Sequence, residues 1–323
     1  MPRHALAIHG GCGVMAQLDL TEEQWAAARA DLERALRAGW AILDAGGRAL
    51  DAVEAAVVAM EESPHFNAGH GATLNAKRYH ELEATIMDGR TLAAGAVTLA
   101  RRIRNPVKAA RAVMEGGDAV IMGGEEADAY AQARGLAMVE NAYFTTERRL
   151  RALETMQARA RAGTTASASE AEKHGTVGAV ALDDHGDLAA ATSTGGYNNK
   201  PAGRVGDSPI PGAGTYAVNG VGAVSGTGKG EVFIRVAAAH EVIARMRYLK
   251  EDVRAAAAQV VKEQIGGHGV GAGMVAIDAQ GVIAAPYNTD GMFRGWIEAD
   301  GAMAVATHGQ VYDLGRVQDR PKG

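Results

Sequence analysis

The sequence predicts an α+β protein in which mainly antiparallel sheets stack as a layered sandwich with helices on the outer faces. Three observations point there. Strand pairs of hairpin type recur around residues 177–192 and 273–286, helical patterns are grouped before and between them, and 42 glycines against 5% aromatic residues let layers approach through small side chains. Strands at both ends of each half of the 323-residue chain favour one shared sandwich over two independent domains.

Taken in order, Ala5-Leu6-Ala7-Ile8 reads as a buried strand ending in the tight turn His9-Gly10-Gly11. Thr21-Glu22-Glu23-Gln24 has capping-box form and should open a helix that runs to about Ala45, with Gly46 as its stop. A second helix should span Ala49 to Glu62 and end before Pro64; Asn105-Pro106 opens another, with proline at its first position, closed near Gly116. Helical patterns also fill Glu125–Arg134 and Thr146–Arg161, and the small polar residues that follow lack apolar periodicity, so a mobile linker is expected over about 162–173. Val177–Leu182, the turn Asp183–Asp187 and Leu188–Thr192 read as a β-hairpin, and the unit returns as 273–278, a turn at 279–281 and 282–286. Between them Glu231–Leu249 and Glu251–Ile265 read as long helices, and Met303–Thr307 as a closing strand.

Bulk composition narrows the function classes. With 47% hydrophobic and 22% charged residues, a net charge of -5 and a pI near 6.1, the chain has ample core and no basic surface for nucleic acid or anionic membrane. No run approaches the roughly 18 apolar residues of a membrane span, and no secretory signal is read at the start. A lone cysteine, Cys12, rules out an internal disulfide framework and suits a reducing, cytoplasmic setting. It lies in a glycine-rich turn without a partner pattern, so it is read as structural.

The most informative run is His174-Gly175-Thr176-Val177-Gly178, where a strand pattern follows a low-complexity stretch. If the Gly175–Thr176 bond is cut, Thr176 carries a nucleophilic hydroxyl and a free amine, and a threonine's own amine is one recognised base. An α-amine titrates near about 7.7–8.0 and can act near neutrality, where a lysine near about 10.4 cannot. Thr192-Ser193-Thr194-Gly195-Gly196 ends the strand expected to pair with the one beginning at Thr176, so Thr194 either hydrogen-bonds that hydroxyl or satisfies turn backbone. In Gly203-Arg204-Val205-Gly206-Asp207-Ser208-Pro209, Arg204 and Asp207 suit either a zwitterionic amino acid, carboxylate on arginine and ammonium on aspartate, or a surface ion pair. Ser225-Gly226-Thr227-Gly228-Lys229-Gly230-Glu231 reads as a glycine-rich loop feeding a helix, with backbone N–H groups and the Thr227 hydroxyl free for an oxyanion. It is no phosphate loop: Ala223 stands where glycine is required and Gly230 where Ser or Thr is. His80-Glu81 and His240-Glu241 begin like a zinc-peptidase helix, but Ala84 and Ala244 occupy the second histidine position.

Together these runs resemble the plant-type L-asparaginases, or isoaspartyl peptidases, of the N-terminal-nucleophile hydrolases. His9-Gly10-Gly11, Phe66-Asn67-Ala68-Gly69, Met87-Asp88-Gly89, Arg104-Asn105-Pro106-Val107, the Thr176 run, the Thr194 run, the Arg204–Asp207 run and Asn288-Thr289-Asp290-Gly291-Met292 occur in the family's order, from about Leu6 to Val305. The resemblance implies a four-layer αββα sandwich and a precursor that cuts itself into an α chain, 1–175, and a β chain, 176–323. It implies hydrolysis of the β-aspartyl amide of L-asparagine and of isoaspartyl dipeptides. By position, Thr176 is nucleophile and base, Thr194 assists it, and Arg204 and Asp207 hold the substrate. Thr227 and the Gly228 N–H form the oxyanion hole, and Asn67 stands behind them. No cofactor serves catalysis; a structural Na+ is expected on backbone carbonyls of Met60, Glu61, Ser63, Phe66, Ala68 and His70. The family usually forms dimers of αβ units. Three departures are Gly226, which removes a side chain, Lys229, which adds a charge near the site, and Cys12, which replaces a usually small and unreactive residue in the N-terminal turn and is given no function. The alternatives are a glycosylasparaginase, whose branch usually has aspartate before the threonine where this chain has Gly175, and a non-enzymatic glycine-rich ligand-binding protein.

Overall fold

The structure, a computed structural model, describes residues 4–13, 20–162 and 175–317. Apart from Ala162, the linker expected over 162–173 lies outside them. The first strand, β1 (Ala5–Gly13), is buried along its whole length and leads to helix α1 (Glu22–Asp44). Thr21 and Gln24 form the capping box the sequence predicts, and the buried stripe Trp25, Ala28, Leu32, Ala35, Leu36, Gly39, Trp40 and Leu43 follows helical spacing. Helix α2 (Ala49–Glu61) packs beside it, its first N–H received by the Asp183 carboxylate at 2.8 Å.

A nine-stranded sheet runs in the order β13-β12-β11-β1-β5-β6-β2-β3-β4, where β2 is Leu82–Asp88, β3 Ala94–Ala100, β4 Ile121–Gly123, β5 Val177–Leu182 and β6 Leu188–Thr194. At its other end lie β11 (Gly291–Ile297), β12 (Ala302–Ala306) and β13 (Val311–Arg316). Its pairings are antiparallel except β3 with β4. A second sheet orders β10-β9-β8-β7, with β7 Thr215–Val218, β8 Gly222–Gly228, β9 Ala272–Asp278 and β10 Ile283–Ala284. Helices α1, α2 and α3 (Pro106–Gly116) cover the large sheet over a core of leucine, valine and alanine. Two further helices precede the linker, α4 (Gly124–Ala133) and α5 (Glu147–Arg161).

Between the sheets the packing is mostly methyl groups. Ala5, Ala7, Val180 and Ala190 of the large sheet meet Ala217, Ala223, Val275 and Ile277 of the small one, so the backbones approach closely. The hairpin at 177–194, the return of strand pairing after residue 272 and the strand near 303 agree with the sequence reading. Among the described residues a further strand, β13, follows that last one at the sheet edge, so 303–307 is not the closing strand.

Two expectations are corrected. The C-terminal helical stretches are not continuous: α6 (Gly230–Val236) ends at Ala237, which takes a left-handed φ of 49°, before α7 (Ala238–Ala244) and a π-turn at Arg245–Leu249. Helix α8 (Val253–Gln259) likewise widens into a π-turn at Val260–Ile265. Helix α6 buries Phe233 against Gly226, whose absent side chain makes the room. The second correction concerns 224–231, read as a glycine-rich loop feeding a helix: the helix does begin at Gly230, but the residues up to Gly228 are not a loop. They lie in strand β8, paired on both sides, so Gly228 N–H belongs to a strand end.

Glu61, at the end of α2, is buried and accepts hydrogen bonds from Ser193 Oγ at 2.7 Å and Val107 N at 3.0 Å. Burial pushes its pKa from 4.5 up to about 8, against those hydrogen bonds. A folded-state value above the unfolded one means stabilisation that is complete below the unfolded pKa and lost as pH rises through the folded one. Glu61→Gln, neutral throughout, should flatten the loss of melting temperature between about pH 5 and 9. Thermal unfolding across that range checks it, and an unchanged slope would assign the effect to another group.

Candidate active site

Antiparallel pairing of β5 with β6 sets Val177 opposite Ser193. The residues just outside that pair, Thr176 and Thr194, therefore meet, and the Thr176 hydroxyl donates to Thr194 Oγ1 at 3.1 Å. Thr194 Oγ1 in turn accepts from the Gly196 N–H at 3.0 Å, which fixes its orientation. Thr176 is 8% exposed, so its hydroxyl is held out of bulk water while still approachable.

The peptide ahead of Thr176 is gripped on two sides. The Gly175 carbonyl accepts from the Asn67 backbone N–H at 3.1 Å. Gly11, at φ +103°, lies so close that a Cβ there would stand 2.4 Å from Gly175 Cα, so only glycine fits. Asn67 is itself tied by its side chain, with Nδ2 donating to Gly196 O at 2.6 Å and Oδ1 accepting from Thr73 N at 2.7 Å. One buried asparagine thus joins the loop after α2 to the ends of β5 and β6.

Arg204 and Asp207 converge on the bare backbone of Gly230, where a Cβ would lie 2.6 Å from Arg204 Nη2 and 2.8 Å from Asp207 Oδ1. Arg204 Nε donates to Glu231 Oε1 at 3.1 Å, and its guanidinium stacks over Tyr197 at 4.8 Å. Burial pushes the Asp207 carboxyl up to about 7, against the nearby Arg204 charge. Burial would also raise Glu231, but the hydrogen bond and charge of Arg204 bring it down to about 2. Lys229 pairs with the same carboxylate at 3.4 Å.

Thr227 faces the seam between the sheets. On the face of β8 that carries it, Ser225 presses on Gly178 of β5, two residues beyond Thr176. Thr227 Oγ1 and Asp207 Oδ2 are buried with no hydrogen-bond partner among the described residues. Orphaned buried polar atoms call for an explanation, and a polar ligand supplies one.

The loop expected to bind a cation is tightly folded. His70 N donates to Glu61 O at 2.7 Å and Ser63 N to Met60 O at 3.1 Å. A Cβ on Gly69 would meet Glu61 O at 2.4 Å, and one on Gly71 would meet Phe66 O at 2.7 Å. Ala68 and Ser63 are wholly buried within it.

Residue patterning did not reveal the polar chain beneath Thr176. His9 Nε2 hydrogen-bonds Ser225 Oγ at 2.9 Å, Ser225 Oγ pairs with Thr192 Oγ1 at 2.6 Å, and Thr215 donates to Thr192. Burial drives the His9 pKa down to about 3, so the ring is neutral. Nor did it reveal the carboxylates under the Arg204 loop. Glu81 accepts from Gly203 N at 3.0 and 3.1 Å, and Glu83 from Gly206 N at 3.2 and 3.1 Å. The available signal was polar residues at alternate positions within otherwise apolar strands.

A threonine hydroxyl resting on a second hydroxyl, a guanidinium and a buried carboxylate converging on one glycine and a buried hydroxyl without a partner among the described residues suit attack on an amide carbonyl, the chemistry of an amidohydrolase. Comparison with known proteins agrees. The family model described as asparaginase matches residues 2–307. Isoaspartyl peptidase from Escherichia coli K12 is 46% identical over 92% of this chain and 93% of its own length. Plant-type L-asparaginase from Pyrobaculum calidifontis is 43% identical over 90% and 96%, and isoaspartyl peptidase/L-asparaginase from Xenopus laevis 39% identical over 94% and 96%. The chain belongs to the asparaginase family.

Thr227→Val keeps the shape and removes the orphaned hydroxyl. If that hydroxyl is the oxyanion donor the resemblance implies, the variant should keep or slightly raise the melting temperature while amide turnover falls about 10²–10³-fold. Parallel calorimetry and kinetics check it; unchanged turnover would show that the hydroxyl serves no such purpose.

Proposed function

We propose that this chain is a self-cleaving threonine amidohydrolase acting on the β-aspartyl amide bond of L-asparagine and of isoaspartyl dipeptides. The observation that carries the reading is the contact of the Thr176 hydroxyl with Thr194, directly beside a Gly175 carbonyl already hydrogen-bonded by Asn67 N–H. In the uncut chain Thr176 Oγ adds to that carbonyl, the C–N bond breaks with the proton passing to nitrogen, and water hydrolyses the ester. The products are an α chain, 1–175, and a β chain, 176–323. Their helices and two stacked sheets form the αββα sandwich of the N-terminal-nucleophile hydrolases.

In the cut enzyme the Thr176 amine takes the hydroxyl proton as Oγ attacks the substrate amide. Arg204 receives the substrate α-carboxylate bidentately and Asp207 its α-ammonium, which gives the lone Asp207 oxygen a partner. Thr227 Oγ1 and Gly228 N–H receive the developing oxyanion. Amine or ammonia leaves, and water releases aspartate from Thr176. No cofactor takes part.

The proposal includes a structural Na+ on carbonyls of Met60, Glu61, Ser63, Phe66, Ala68 and His70, as the family resemblance implies. It also includes a dimer of αβ units and a cytoplasmic setting. Among the described residues no helix is long and apolar enough to cross a membrane.

Thr176→Ala should yield one uncut, inactive polypeptide of about the full 33.4 kDa, where the wild type gives two chains. Intact mass and an aspartate-release assay check it, and a mutant still cut at that bond contradicts the mechanism. Exchanging sodium for choline should lower the melting temperature by a few degrees, because an ion that binds only the folded state stabilises it. An identical melting curve in choline would remove the cation.

A further inference from the structure

Arg149, on α5, carries a buried guanidinium. It is 5% exposed, and its Nε donates to the Gly71 carbonyl at 2.8 Å. Among the described residues no carboxylate lies within ion-pair reach of it. Other buried cations are better provided for: Lys200 donates to Glu81 O at 3.0 Å with Glu83 at 4.0 Å, and Arg294 reaches the carbonyls of Met292, Thr307 and His308. Burial, with the like charge of Arg148, holds the Arg149 pKa well below its usual value. An uncompensated buried charge is strongly unfavourable. Its free edge faces the bond to be cut, with Nη2 3.8 Å from where a Cβ on Gly175 would stand.

We propose that Arg149 is the receiving site for the α-carboxylate created at Gly175 when the chain cuts itself, an inference that rests on the self-cleavage proposed above. The balance is simple. Thr176 Oγ replaces the amide nitrogen on the Gly175 carbon, and the nitrogen leaves as an amine. One water then replaces Oγ, the hydroxyl regains its proton, and Gly175 is left as a carboxylate with one proton released. A neutral peptide carbonyl thereby becomes an anion next to an arginine that had none. Among the described residues the uncut chain leaves this buried charge unpaired, whereas the cut chain gives it a charge-assisted pair, so cleavage relieves a cost carried by the precursor.

The test is a reversal of sign. Arg149→Met in the uncuttable Thr176→Ala background should leave the melting temperature unchanged or raise it, because a lone charge is removed. In the self-cleaved wild-type background the same substitution should lower it by several degrees, and Arg149→Lys should restore most of the loss. A residue needed only for packing would lower both alike, and that result overturns the proposal. A second measurement holds even where Arg149→Met slows cleavage. With carbonyl-¹³C glycine in the cut wild-type protein, the Gly175 carboxylate should titrate below the ordinary C-terminal range of about 3.3–3.7. Titration within that range also overturns it. A wild-type chain that never separates into two defeats the self-cleavage reading instead, and shows as a single mass.

Discussion

The site rests on the register of one hairpin. Side chains alternate with a period of two, so a slip of one residue between β5 and β6 would send Thr194 to the opposite face from Thr176. Asp183 holds that register at the turn, where its Oδ1 accepts from His185 N at 2.9 Å and Asp187 N at 3.0 Å. Its other oxygen takes the first N–H of α2, so the helix leading to Glu61 and Asn67 is indexed to the same turn. One carboxylate therefore sets both the strand that offers the nucleophile and the helix whose following loop grips the peptide ahead of it.

Beneath the hydroxyl pair the sheets are joined by polar contacts in an otherwise methyl-lined interior. The chain from His9 through Ser225 and Thr192 to Thr215 crosses from β1 to β8, back to β6 and on to β7. Each link is specific in direction and distance, which dispersion between alanines is not, so the chain locks how one sheet sits over the other. The Arg204 loop is held in the same manner by Glu81 and Glu83, each taking a backbone N–H on both carboxylate oxygens. Lys200, wholly buried, offsets their charge.

Much of this was legible in the sequence because it depends on local chemistry. Thr21 and Gln24 cap α1 as their spacing requires, Pro106 starts α3, and the turn residues 183–187 bring Thr176 to Thr194. Elements were missed where local signals conflict with burial. Strand β2 alternates apolar and polar residues from Leu82 to Ile86 but is buried on both faces, so Glu83 and Thr85 read as solvent-facing, and its pairing with β6 lies more than a hundred residues away. Strand β8 is glycine-rich and reads as a loop until two neighbours supply its hydrogen bonds. The helical stretches after 230 have the right period, but nothing local announces that Ala237 turns left-handed. Lone polar positions such as His9, Glu81 and Arg149 acquire meaning only from partners brought by the fold.

The alanine seam between the sheets has its own consequence. Ala5, Ala7, Ala190, Ala217 and Ala223 leave no slack for a larger neighbour, and most of their area is backbone and single methyls. Each alanine packs among larger neighbours such as Leu182, Val275 and Ile277, so adding methylenes to it would force those neighbours to shift, at a cost of about 1–3 kcal/mol. A larger side chain placed on this seam would therefore be felt by both layers at once, because close-packed interiors transmit strain.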